Sequence, residues 1–383
     1  MQIRTITAGA REQDIGKAAQ AARLAKERLE AAGYTVQTLR LAITQASNTC
    51  ADVATVARAA EEQALEAGFD YVSLGPVDTS RLPGLAEGLA ATETVFASAQ
   101  IATTDGVVLP ETLRAAAEVM VALGATTEHG FGNLRFAALA CVSAGSPFFP
   151  AAYHDRGEPW VAVGPEASAL AVEATSDGRP ATTDPLFFQT SLGRLTTLIE
   201  QHDAAISAAL ANLQRESGVR FADCDWSYAP KPDAACSVGA AVEALSGVPF
   251  GEWGTLAGVR GLTAAVRAAK VTQLGFSGVM LPVLEDPVLA RRNTEGRYTL
   301  RDLLAFSAVC GTGLDTIPLP GNTSADEITG VLEEVAALAS AYRKPLTARL
   351  MPIPGLQAGD TTAFEFAYFV NTQVMRLGVH TAD

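Results

Sequence analysis

Short apolar runs with a two-residue beat and Ala/Leu/Glu-rich stretches with a helical beat take turns along almost the whole chain. Residues 3–7 alternate apolar and polar side chains, as a strand with one buried face does. Residues 12–32 then place apolar side chains at helical spacing, and Gly33 follows as a C-terminal cap. The cycle repeats with a strand at 34–41, a helix at 51–67 stopped by Gly68, and a strand at 69–75. Further strands are expected at 94–99, 279–284, 315–319 and 346–352, and helices at 110–123, 187–217 and 325–342. Residues 144–186, rich in Gly, Pro, Ser, Asp and Thr, read as loops and turns. This order favours parallel strands joined by helical crossovers, with both sheet faces covered. So many units fit either a closed α/β barrel or a wide open sheet.

The chain has 383 residues, 48% of them hydrophobic and 18% charged, which suits a large buried core. No flexible linker divides it, so residues 1–383 are expected to form a single domain. The net charge of −14 and the lack of a basic stripe argue against a nucleic-acid partner. Five scattered cysteines without CxxC spacing suggest reduced thiols and no zinc site. The opening residues do not read as a signal peptide, and no apolar run spans a bilayer. A cytoplasmic protein without a membrane partner is expected. No phosphate-binding glycine loop follows any strand, so no nucleotide cofactor is expected. Alanine-rich helix faces are compatible with a homodimer.

Four segments put chemistry-bearing side chains beside turn residues. In 146–154, two prolines fix the backbone around two phenylalanines and present Tyr153 beside His154, an acid or base near neutral pH. In 221–230, Asp223 and Asp225 bracket Cys224. Alternation along a strand would put both carboxylates on one face and the thiol on the other, and paired carboxylates serve acid–base work or cation binding. In 278–287, an apolar run leads into Glu285 and Asp286. Asp286 before Pro287 is placed to cap a helix, which leaves Glu285 free for chemistry. The fourth region is a pair of similar turns. One follows Asp315 and contains Asn322 and Thr323; the other follows Arg349 and contains Gly355 and Asp360. Pro-x-Pro-Gly turns allow close backbone approach to an anion, and Arg349 can supply a fixed charge for a carboxylate or phosphate.

Taken together, these segments resemble the domain of unknown function 711 family, which is described as pyruvate formate-lyase-like. The resemblance rests on Ile3 to Thr7, the loop from Pro147 to His154, Asp223 with Ala229-Pro230, and Gly278 with the run to Asp286. It rests also on Gly313-Leu314-Asp315 with the turn to Thr323, and on Arg349 with the turn to Asp360. It implies a single large barrel of about ten strands, like that of glycyl-radical enzymes, with helices outside. Radical chemistry requires an Arg-Val-x-Gly-aromatic loop and a cysteine on the central loop. Residues 361–369 hold no glycine, and the strand argument turns Cys224 away, so no glycyl-radical activity is expected.

The functional expectation is a non-radical enzyme working on a small polar or carboxylated metabolite. His154, Asp223, Asp225 and Glu285 are the candidate acids and bases. Tyr153, Asp315, Asn322, Thr323, Arg349, Gly355 and Asp360 are the candidate substrate contacts. Carboxylates at these positions are also compatible with a divalent cation. The rival expectation is a binding or regulatory protein on the same scaffold without catalysis.

Overall fold

The computed structural model describes residues 1–43, 52–176 and 184–378; Cys50 and His380 lie outside the described residues. Nine strands are described: β1 (Ile3–Ala10), β2 (Val36–Ile43), β3 (Tyr71–Pro76), β4 (Val95–Ala102), β5 (Phe136–Ala140), β6 (Trp160–Pro165), β7 (Arg220–Cys224), β8 (Gly313–Pro320) and β9 (Leu346–Ile353). They form one sheet in the order β7-β6-β1-β2-β3-β4-β5-β9-β8. Strands β1 to β5 run parallel, and the sheet reverses direction at β1–β6 and at β5–β9.

Each strand divides its side chains by alternation. On β4, Val95, Ala97, Ala99 and Ile101 enter the core shared with the helices, while Phe96 points to the other face. On β9, Leu346, Ala348 and Leu350 face the helices, and Thr347 and Arg349 face inward. The helix Ile15–Ala31 lays Ala18, Ala21, Ala22 and Ala25 against this outer face, all of them fully buried. Small side chains at that spacing let helix and sheet approach closely. Helix starts follow the expected chemistry. Asp286 accepts from Val288 N and Leu289 N at the head of the helix Pro287–Thr294. Ser324 and Glu327 form a capping box on the helix Ala325–Tyr342.

Strand β5 and two elements of the 144–186 stretch were not legible. β6 and the helix Ser168–Thr175 lie within that stretch. β5 and β6 are buried along their whole length, so neither displays the alternation that reveals a half-exposed strand. The expected helix at 187–217 is two helices, Pro185–Leu210 and Leu213–Ser217.

The connection from β5 to β6 folds inward over the sheet. Phe148 and Ala151 pack with Ala137 and Leu139 of β5. Phe149 and Ala152 pack with Ala42, Trp160 and Ala162. Thr7 Oγ1 donates to Pro147 O (2.7 Å) and Ser73 Oγ donates to Ala152 O (2.7 Å), which ties the loop to β1 and β3. The Phe149–Pro150 peptide is cis.

Residues 279–284, expected as a strand, make isolated bridges at Val279 and Pro282 and then turn, Glu285 N and Asp286 N both donating to Pro282 O. Gln273 bridges to Cys224 and Val279 to Tyr228 beyond β7, while Pro282 bridges to Asp315 on β8. Both edge strands therefore bond to the same segment. Pro282 has no N–H to give, and Gly275 and Ser277 take left-handed backbone angles (φ +62° and +40°), so a continuous ladder cannot form.

Gly75 shows how tightly the inward loop is seated. Its φ is +71°, and a Cβ there would lie 2.7 Å from Cβ of Tyr153. Gly75→Ala is expected to destabilise the fold by about 1–3 kcal/mol, through left-handed strain and overpacking. A denaturant titration measures the shift in midpoint; an unchanged midpoint would mean that the loop is not held against β3.

Candidate functional site

Because strands alternate, a lone charged residue inside an apolar strand must face the interior or solvent. Three arginines take the interior: Arg4 on β1, Arg40 on β2 and Arg349 on β9. With Tyr71 on β3 and Phe96 on β4 they line a cavity of about 390 Å³ on the inner side of the sheet. The inward loop contributes Phe149 to its wall, and β8 contributes Asp315. Glu285 reaches the same space from the turn after the bridging segment.

The charged groups form a connected set. Arg349 Nε donates to Asp315 Oδ1 (2.5 Å) and its Nη2 to Glu285 Oε1 (2.9 Å). Glu285 Oε2 accepts from Arg4 Nη2 (3.2 Å), and Arg4 Nη1 donates to Pro230 O (2.7 Å). Burial pushes the Glu285 carboxyl above its usual range; Arg349 and Arg4 pull against that, and Asp315 adds to it. Burial also works against the charge of Arg349, yet Asp315 and then Glu285 hold its pKa above the ordinary value. Removing one member of such a buried pair typically costs about 3–5 kcal/mol, because the other charge is stranded.

Arg40 is different. Its Nε donates to Thr38 Oγ1 (3.0 Å), and the guanidinium lies 5.6 Å from the centre of the Tyr71 ring and 5.3 Å from that of Phe149. No carboxylate among the described residues pairs with it. Burial first, and then the like charge of Arg4, lower its pKa to about 10, so it remains a cation near neutrality. The wall of the cavity thus holds a positive charge that aromatic faces stabilise in part and no acid neutralises.

The family model described as "Uncharacterised ACR (DUF711)" matches residues 1–366. The chain belongs to the DUF711 family. Relatives include the UPF0210 protein of Pyrobaculum aerophilum, 32% identical over 297 residues, which are 76% of this chain and 64% of that protein. The UPF0210 protein of Methanosarcina acetivorans is 29% identical over 333 residues, 82% of this chain and 70% of that protein. The chain thus spans a little under two thirds of the Pyrobaculum aerophilum relative's length (64%). Among solved structures, an anaerobic ribonucleotide reductase aligns with 91% of this chain and 70% of its own, at 8% identity and a TM-score of 0.39. A likeness that slight carries no argument about function.

In this family member the cavity brings together three of the residues singled out in the sequence: Glu285, Asp315 and Arg349. The others lie elsewhere among the described residues. His154 is buried on its own turn, accepting from Arg156 N at Nδ1 (3.1 Å), with Nε2 3.3 Å from Glu158 O. Tyr153 donates its hydroxyl to Val142 O (3.0 Å), and burial pushes its pKa up to about 12. Asp225 is fully buried and accepts from Phe276 N, Ser277 N, Ser227 N and Ser227 Oγ, which makes it a clasp between β7 and the 276–277 turn. Asp223 sits where the β6–β7 register shifts, with φ +96° and Thr272 as partner. That bulge cancels simple alternation, so Asp223 and Asp225 have separate environments and do not form a pair.

The turns after β8 and β9 pack on each other, Gly321 N donating to Leu356 O (3.0 Å). Thr323 bonds back to Pro320 O, Asp360 accepts from Gln357 N, and Asn322 and Gly355 are exposed. None of these four residues lines the cavity. Among the described residues, no group of three or more His, Cys, Asp or Glu is placed to hold a metal ion. No helix among them is long and apolar enough to cross a membrane.

Sequence reasoning missed Arg4, Arg40, Tyr71 and Phe96. The signal was present: Ile3-Arg4, Leu39-Arg40-Leu41 and Ala348-Arg349-Leu350 each place an arginine among apolar strand residues.

His154 also makes a pH prediction. Burial lowers its pKa below the ordinary 6.5. The unfolded chain therefore binds the extra proton first, and stability falls as pH drops through 6.5 toward the folded value. Urea midpoints measured from pH 7.5 to 5 should show this fall in the wild type and a smaller one in His154→Gln. Parallel curves would rule the buried neutral imidazole out.

Proposed function

We propose that this protein is a non-radical enzyme that binds a small anionic metabolite in the arginine-lined cavity and acts on it by acid–base chemistry. The observation that carries the reading is Arg40, a cation on the cavity wall without an acidic partner among the described residues. A carboxylate or phosphate oxygen entering beside it would complete a charge-assisted pair in a low-dielectric space, where such pairs are strongest. In a chain of net charge −14, a locally positive cavity is not a by-product of composition.

Glu285 is the group best suited to move a proton. It reaches the cavity, and burial keeps its carboxyl above the usual range, nearer the pH at which acids and bases exchange protons efficiently. Arg349 and Asp315 fix its orientation, and Arg4 lies on its second oxygen. The same scaffold reading includes a barrel of about ten strands, in which the segment bridging β7 and β8 acts as the tenth stave. The inward loop 146–154 contains no cysteine, which favours chemistry without a thiyl radical. The four described cysteines are buried and unpaired, in keeping with a reducing compartment.

The test pairs two variants with a panel of mono- and dicarboxylates and inorganic phosphate. A compound present at a hundred times its Kd should stabilise the wild type by about 2.7 kcal/mol. Arg40→Gln is expected to lose that stabilisation. Glu285→Gln is expected to keep binding and to lose conversion of the bound compound, followed by mass spectrometry. Undiminished anion binding by Arg40→Gln would sink the reading, and undiminished turnover by Glu285→Gln would remove Glu285 from the chemistry.

A further inference from the structure

We infer that the anion taken by this cavity is a monocarboxylate carried on a flat, aromatic body. The inference rests on the proposed reading of the cavity as an anion site and adds the ligand's charge and shape.

The charge follows from the side chains that line the space. Four are arginines (Arg4, Arg40, Arg135, Arg349) and three are carboxylates (Glu93, Glu285, Asp315). Three of the cations are already engaged. Arg349 has Asp315 and Glu285, and Arg4 has Glu285 and Pro230 O. Arg135 gives its N–H groups to the carbonyls of Leu89, Thr92 and Val95, and Glu61 and the lining Glu93 are near enough to favour its charge. One net positive charge remains, and it sits at Arg40. A monoanion neutralises it, whereas a dianion would bring a second buried charge with no cation to meet it. The planar fork of a guanidinium matches the two oxygens of a carboxylate.

The shape follows from the rings. Tyr71 and Phe96 meet edge to face with centroids 5.6 Å apart, and Phe96 and Phe149 do so at 5.3 Å. Arg40 lies over two of these three rings, so the positive charge and the aromatic wall adjoin. Phe131, Phe366 and the exposed Tyr368 line the same cavity. An aromatic ligand bound at Arg40 would thus meet the faces and edges of Tyr71, Phe96 and Phe149, the arrangement that aromatic pairs favour. The volume of about 390 Å³ equals roughly a dozen water molecules, room for one or two fused rings with a short acid arm.

Isothermal titration of the full chain with phenylacetate, indole-3-acetate, cyclohexylacetate, succinate and inorganic phosphate tests this. The two aryl acids are expected to bind about fivefold more tightly than cyclohexylacetate, the increment aromatic pairing supplies. They should also bind more tightly than succinate or phosphate, and Arg40→Gln should weaken them about thirtyfold. Phe96→Leu should shrink the aryl preference while leaving cyclohexylacetate nearly unchanged. Should that variant not fold, Tyr71→Leu at a half-buried position reads the same preference. Tighter Arg40-dependent binding of succinate, phosphate or cyclohexylacetate overturns the aromatic monocarboxylate and leaves the anion site standing. Absence of Arg40-dependent binding for all five overturns both.

Discussion

Arg349 lies inside the sheet with its guanidinium shared between Asp315 and Glu285, and much of the inner architecture is organised around that contact. Taking an arginine out of water costs several kcal/mol, and at Arg349 two carboxylates from different elements offset that cost. Asp315 comes from β8, beside Arg349's own strand, and Glu285 comes from the segment that bridges β8 and β7. Glu285 in turn draws in Arg4 from β1. One buried charge thus fixes the relative placement of β1, β8, β9 and the 282–285 turn.

The inward loop 146–154 acts beside this network. It fills much of the sheet's inner face with Phe148, Phe149, Ala151 and Ala152 and is tied to β1 and β3 by side-chain hydrogen bonds. What it leaves open is the cavity lined by Arg4, Arg40 and Arg349 together with Phe96, Phe131 and Phe366. The histidine of this loop is engaged with its own turn, and the aspartates of 223–225 are engaged with theirs. Residue types that suggest catalysis are here used to hold loops in place. The residues that reach the cavity are those whose partners lie on other strands.

The two halves of the chain supply different parts of the site. The first four strands give Arg4, Arg40, Tyr71 and Phe96, and the last third gives Glu285, Asp315 and Arg349. Arginines come from both, Glu285 and Asp315 come from the last third, and the aromatic wall around Arg40 comes from the first half alone. Such a division places the charged groups that line the cavity on strands or directly after them, backed by the outer helices.

The alternation of apolar runs and helical stretches determined the class of fold, the positions of most strands and the capping role of Asp286, because these depend on neighbours a few residues away. β5 and β6 escaped notice since a strand buried on both faces carries no two-residue rhythm. Residues 279–284 form isolated bridges and then a turn instead of a ladder, because Pro282 and the left-handed backbone before it break the run of N–H donors. Glu285, Asp315 and Arg349 stood out as charged groups at or beside strands, and the fold gathered them. Arg4 and Arg40 were equally visible as lone charges among apolar residues, yet a charge inside a strand can face either solvent or interior. Only the assembled sheet decides that both point from neighbouring strands into one cavity, with Arg40 left without an acid among the described residues. The pairing of charges is a property of distances between strands far apart in sequence, and those distances exist once the sheet has formed.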